Sequence, residues 1–250
     1  MKKMDAGCIL PLLVVLLVVT SCTRKYKVEG TSSIIGLDGK VMYLNVLQDG
    51  EWVAVDSAEV VHGRFAMAGR ADTARMVTLY MNNEPIMPFV LENGKVMLTL
   101  SNSQLVAQGT PLNDKLYEFI AHRNALEVQL EELDRKKARM VLDGANVDVV
   151  HEQLAKDGDA LAQEMNDYIE QFISDNYENI LGPSIFMMMC STLPYPVMTP
   201  QIEEIMRRAP LSFKENQLVQ DYLSKAKENM QLIEEYKRLQ DNVGAATAQR

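Results

Sequence analysis

The chain has 250 residues, with 34 acidic side chains against 25 basic ones and a formal net charge of −9. That acidic balance disfavours nucleic acid and anionic lipid as partners. Three cysteines are too few for a disulfide-rich scaffold, and the sequence holds no C-x-x-C pair and no Cys/His zinc spacing.

Lys2 and Lys3 supply a positive start, an apolar run extends from Ile9 to Val19, and the small residues Thr20 and Ser21 precede Cys22. This is the pattern of a secretory signal peptide. A spanning helix needs roughly 20 apolar residues, whereas this run is shorter and is interrupted by Pro11. The tetrapeptide "VTSC" resembles the bacterial lipobox, in which the cysteine sulfur receives a diacylglyceryl group and cleavage then makes that cysteine the first mature residue. Cys22 is the expected lipidation site; an ordinary secretion signal is the alternative. Residues 1–21 are then a lipoprotein signal peptide and residues 22–26 a lipidated tether, with the membrane engaged through the anchor. Loss of Lys2, Lys3 and Asp5 takes the net charge to about −10. Arg24, Lys25 and Lys27 stand out against that charge where a tether would touch headgroups, and a short solvated linker explains them equally well. Cys8 leaves with the leader and Cys22 carries lipid, so Cys190 has no partner for an intrachain disulfide.

Residues 27–110 read as about eight short strands punctuated by turns at Asp38-Gly39, Asp49-Gly50, His62-Gly63 and Asn93-Gly94. Folding "MPFVLENGKVMLTL" around Asn93-Gly94 pairs Glu92 with Lys95, Leu91 with Val96 and Phe89 with Leu98. Met87, Phe89, Leu91, Val96, Leu98 and Leu100 then share one apolar face. Folding "MYLNVLQDGEWVAV" around Asp49-Gly50 places Met42, Leu44, Val46, Val53 and Val55 on another. The expected unit is an antiparallel β-sandwich or small barrel. Apolar parity changes between Val55 and Val60, which places a bulge or bend near Asp56-Ser57.

The period changes from Asn113, where Leu116, Phe119, Ile120, Leu126, Leu130, Leu133 and Met140 recur at helical intervals behind an N-cap at Asn113 or Asp114. After "DGAN" a second helix carries Val150, Leu154, Leu161, Met165, Tyr168 and Phe172 on one stripe. The two form an antiparallel helical hairpin. "LGPS" at residues 181–184 breaks the pattern, "IFMMMCS" reads as a buried short helix, and "LPYPVMTP" as a loop. Thr199-Pro200 starts another helix, and Ser212-Phe213-Lys214-Glu215 reads as a capping box opening a last one. That last helix buries Val219, Tyr222, Leu223, Ala226, Met230 and Ile233. The fold class is α+β: a sandwich over 27–110, a helical region over 111–243 and a disordered tail over 244–250.

"VDSAEVVHGRFAMAG", "FVLENGKVMLTL" and "GTPLND" resemble the domain of unknown function at the N-terminus of many Bacteroidota envelope lipoproteins, where it commonly precedes a thioredoxin-like or peroxiredoxin-like module. The resemblance covers residues 27 to about 120; "FISDNYENILGPSIF" is similar to the connecting region of those proteins. It implies a periplasm-facing protein and, in longer members, thiol-disulfide exchange through W-C-x-x-C. This chain has no such motif, and its sole tryptophan, Trp52, lies in a strand, so redox chemistry is not carried over. "TRKYK" after Cys22 also lacks the acidic signal associated in that group with export to the cell surface. The implied location is the outer membrane, facing the periplasm.

Chemistry-bearing residues elsewhere have bland readings. Cys190 in "MMMCS" is an apolar-set thiol, expected to be buried and inert. Met187, Met188 and Met189 tempt toward a soft metal, yet successive helical residues point about 100° apart and cannot converge. His62, His122 and His151 form no i, i+4 pair, and Asp56 with Ser57 has no nucleophile elbow. Glu131-Glu132, Glu203-Glu204 and Glu234-Glu235 fall on expected helices, as solvated faces and not as a calcium loop. Neither cofactor nor metal nor catalytic residue is assigned. The expected function is a lipid-anchored, non-enzymatic binding or scaffolding module of the bacterial cell envelope, with a possible envelope protein partner. The alternative is an accessory protein of envelope thiol-disulfide or peptide metabolism.

Overall fold

The computed structural model describes residues 25–48 and 50–247. The expected signal peptide, the expected lipidation site Cys22 and residues 248–250 lie outside the described residues. Among the described residues eight strands come first: β1 (Lys25–Ser32), β2 (Val41–Gln48), β3 (Glu51–Glu59), β4 (Arg64–Arg70), β5 (Arg75–Met81), β6 (Glu84–Leu91), β7 (Gly94–Leu100) and β8 (Leu105–Gln108). Six helices follow: α1 (Pro111–Leu142), α2 (Val147–Asp175), α3 (Leu181–Cys190), α4 (Pro200–Arg208), α5 (Leu211–Lys214) and α6 (Gln217–Thr247).

The strands form two four-stranded sheets, in the orders β4-β1-β7-β8 and β3-β2-β5-β6. This is a sandwich and not a closed barrel. Period-2 alternation sends Val28, Phe65, Met67, Val96 and Leu98 inward from the first sheet, against Met42, Leu44, Val77, Leu79 and Phe89 from the second. Each such side chain contributes about 1.5–3 kcal/mol relative to exposure. Gly30 is required on β1: a Cβ there would come within 2.0 Å of the Phe65 ring, which lies across the strand opposite it.

The expected hairpin at Asn93-Gly94 is not formed. Residues up to Leu91 belong to the second sheet and residues from Gly94 to the first, so this turn crosses between layers. The apolar set is buried as expected, with Met87, Phe89 and Leu91 facing Val96, Leu98 and Leu100 across the core instead of beside them. β7 pairs in parallel with β1, so the first sheet is mixed. Glu92 does not pair with Lys95 either; its Oε1 accepts the Leu112 backbone N–H at 2.9 Å in the first turn of α1. The hairpin turn of this region is Asn82-Asn83, both left-handed at φ 52° and 65°, joining β5 to β6.

The β2–β3 hairpin forms in the expected register, with Leu47 opposite Trp52 and Gln48 opposite Glu51. Its register slips between Leu44 and Asn45, which leaves Val55 unpaired next to the expected bulge at Asp56-Ser57. Val53 and Val55 are 41% and 40% exposed, contrary to the core face expected for them, because β3 is the outer edge of its sheet.

The helices pack against the outer side of the second sheet, where Val90 of β6 joins Leu116, Phe119, Ile173, Ile185, Phe186, Phe213 and Val219 in a second core. α1 begins at Pro111 behind Thr110, not behind Asn113 or Asp114. Asn113 is instead fully buried: its Oδ1 accepts from Val90 N at 2.8 Å and its Nδ2 donates to Val90 O at 2.7 Å. The side-chain amide thus stands in for a neighbouring strand along the edge of β6. α1 and α2 form the expected antiparallel hairpin, with Asn146 capping α2.

The break expected at "LGPS" falls just before it, between α2 and α3, and the segment itself opens α3, since Pro183 falls in the first turn, where its missing N–H costs nothing. Thr199 caps α4 as expected, accepting from Ile202 N at 3.2 Å. The capping box at Ser212 is not formed: Ser212 Oγ donates to Glu178 Oε1 at 2.9 Å, and Asn216 accepts from Leu218 N at the start of α6. Val219, Tyr222 and Ala226 are buried, and α6 continues to Thr247, beyond residue 243.

Candidate functional site

Cys190 ends α3 at 4% exposure, beside Tyr222, and burial pushes its thiol up to about 12. Among the described residues no cation acts on it, and the deprotonated form that nucleophilic chemistry needs is suppressed. The three preceding methionines diverge. Met187 faces the second sheet, while Met188 Sδ lies 3.3 Å from Arg123 Nη1 on α1.

His62 occupies a left-handed turn position, His122 lies against Tyr168 in a tilted contact with ring centroids 4.2 Å apart, and His151 Nδ1 is 3.1 Å from Lys137 Nζ. Among the described residues no group of three or more His, Cys, Asp and Glu side chains is placed to hold a metal ion. Asp56 accepts the Tyr26 hydroxyl at 2.8 Å and the Ser57 backbone N–H at 2.8 Å, tying the edge strand β3 to β1. Glu204 is clamped by Arg207 and Arg208, which hold its carboxyl down at about 2, and Glu131 pairs with Arg135 at 2.6 Å. None of these residues meets another in a reactive arrangement.

A different place unites both halves of the chain. The outer face of the second sheet and helices α3 and α6 enclose a cleft of about 540 Å³, with Leu47, Gln48, Trp52, Arg75, Met76 and Thr78 on the sheet side and Ile180, Ser184, Met187 and Leu218 on the helical side. Strand parity explains the sheet side: Val77 and Leu79 point into the sandwich, so Met76 and Thr78 point out. The same alternation sends Leu47 and Trp52 out from the hairpin. Trp52 is 51% exposed and lies 5.6 Å from the Tyr80 ring in a tilted contact. Beside Thr78, Asn45 Oδ1 is buried with no hydrogen-bond partner among the described residues.

The cleft therefore combines an aromatic plate, one guanidinium and several neutral donors and acceptors. Such a set holds a ligand and orients it. It presents no pair of ionisable groups in proton-transfer contact.

With this geometry in view, comparison with protein families gives a clear result for the N-terminal part. Residues 26–116 match the family described as Domain of unknown function (DUF4369). The DUF4369 segment ends at Leu116, beyond the last strand, and so takes in Thr110 and Asn113. The first turns of α1 that clasp β6 thus belong to the unit. No curated protein and no solved structure matches the chain.

Sequence reading placed Trp52 in a strand but did not single it out, took Asn113 for a helix cap, and passed over Arg75. An aromatic at an outward position of a hairpin was the available signal for Trp52. Arg75 gave none, because the helices that complete its cleft come more than a hundred residues later in the chain.

Proposed function

We propose that this chain is a lipid-anchored protein of a bacterial cell envelope, held through Cys22 in the outer membrane and facing the periplasm, whose folded part is a non-enzymatic binding or scaffolding module. The binding role rests on the cleft between the second sheet and α3 and α6, with half-exposed Trp52 at one wall and Arg75 and Thr78 beside it. The anchoring rests on the short apolar leader ending in small residues before Cys22.

Detergent phase partitioning tests the anchor. The full chain should enter the detergent phase and Cys22→Ser the aqueous phase; a Cys22→Ser protein that stays in detergent would refute lipidation. For the binding role, a photo-crosslinker introduced at Ser184 should capture a defined adduct in the native envelope. Trp52→Ala should reduce that adduct severalfold. An adduct indifferent to Trp52 and Arg75 substitutions would remove the cleft from the binding role.

A further inference from the structure

Strand order and register determine which end of the sandwich lies beside the tether. β1 begins at Lys25, which pairs with Arg70 at the end of β4, while Tyr26 lies beside Gly94 at the start of β7. Three residues before Gly94, β6 ends at Leu91, opposite Arg75 at the start of β5. β2 runs antiparallel to β5 with Asn45 opposite Thr78, which carries Gln48 level with Arg75. The tip of the β2–β3 hairpin, with Leu47 and Trp52 just behind it, therefore belongs to the same end as Lys25. The loops at 33–40, 60–63 and 101–104 form the opposite end, one strand length away, about 26 Å for eight residues.

Only Thr23 and Arg24 separate Cys22 from Lys25, and an extended chain spans at most about 3.6 Å per residue, so the start of β1 is within about 11 Å of the Cys22 Cα. We infer that the tether end of the sandwich is a membrane-contact surface, with Leu47 and Trp52 of the β2–β3 hairpin at the lipid–water interface. This inference rests on lipidation of Cys22. Leu47 and Trp52 are 48% and 51% exposed, and an indole with an apolar body and a polar N–H suits that interface. Charged groups at this end are mixed in sign, with Lys25, Arg70 and Arg75 against Glu51, Asp72 and Glu92. The contact is therefore apolar and tolerates raised salt. Exposed apolar residues also mark the far end, where Ile35 is 99% exposed. Tether length, not apolarity, decides between the two ends.

Trp52 is the only tryptophan, so its fluorescence reports the contact directly. The lipidated mature protein is reconstituted into vesicles of phosphatidylethanolamine and phosphatidylglycerol, with and without brominated phosphatidylcholine as a quencher. The expected result is co-flotation with the vesicles and at least a twofold loss of Trp52 emission with brominated lipid, unchanged at high salt. A Trp52→Phe, Ile35→Trp double variant, which moves the reporter to an open position at the far end, should float equally and keep its emission. Flotation with unquenched Trp52, or equal quenching from position 35, overturns the orientation while leaving the anchor intact. Failure to float overturns the anchor, and the inference with it.

Discussion

Asn113 shows how much a single buried amide decides. It supplies both a donor and an acceptor to Val90, and it accepts nothing less than a strand's role along the edge of β6. Asn113→Ala leaves the buried N–H and C=O of Val90 unpaired, and a buried polar group left unsatisfied costs about 1–3 kcal/mol. Urea unfolding should show a loss of that size; an unmoved midpoint would mean that water or a backbone shift replaces the clasp. Cys190 makes the opposite case, a reactive residue type rendered inert by its surroundings. Burial raises its thiol to about 12, with the hydrogen bond from Tyr222 opposing weakly. Alkylation by iodoacetamide near neutral pH should therefore label the folded protein far more slowly than the urea-unfolded chain. Equal rates would reopen a thiol-based role. Burial of Cys190 was legible in "MMMCS", whereas Asn113 reads in the sequence as an ordinary cap, because its true partner is twenty-three residues away.

Among elements, the turns carry the lesson. The turns expected at Asp49-Gly50 and Asn93-Gly94 have the same local chemistry, yet the strands flanking the first pair as a hairpin, Gln48 opposite Glu51, and the second joins two sheets. The difference lies in which strand claims the edge of β7: β1 takes it in parallel, and β6 is left to close the other sheet. No property of the dipeptide records that competition. The corner between α2 and α3 is equally specific, since a Cβ on Gly182 would approach Asn176 O to 2.4 Å, a contact that backbone atoms must move to relieve. Gly182→Ala should cost about 1–3 kcal/mol, as overpacking of a tight interior does. A thermal melt indistinguishable from that of the natural chain would show the corner to be yielding.

At the scale of the molecule, the two halves share side chains instead of merely adjoining. Val90 of the sandwich lies in the helical core, Glu92 caps α1, and the cleft has walls from both halves. Single cooperative unfolding follows, so Trp52 fluorescence and far-UV circular dichroism should trace coincident urea transitions. Two resolved transitions would show that the sandwich melts independently of the helices. Beyond Ala226 the far part of α6 exposes Leu232, Tyr236 and Leu239 and adds little to this shared core.

The sequence by itself determined the change from a two-residue to a helical period near residue 110, the number of strands, the inward side of most of them, and the helical hairpin. Those features follow from local periodicity and turn chemistry, which neighbouring residues carry within themselves. It also contained the resemblance that the DUF4369 match over residues 26–116 supports. Only the tertiary structure decided the parallel β1–β7 pairing, the edge position that exposes Val53 and Val55, the clasp of Asn113 on Val90, and the cleft at Trp52 and Arg75. Each of these depends on which distant segment arrives at an open strand edge or sheet face. That choice is made by global packing, where several pairings satisfy the same local pattern and one of them buries both cores at once.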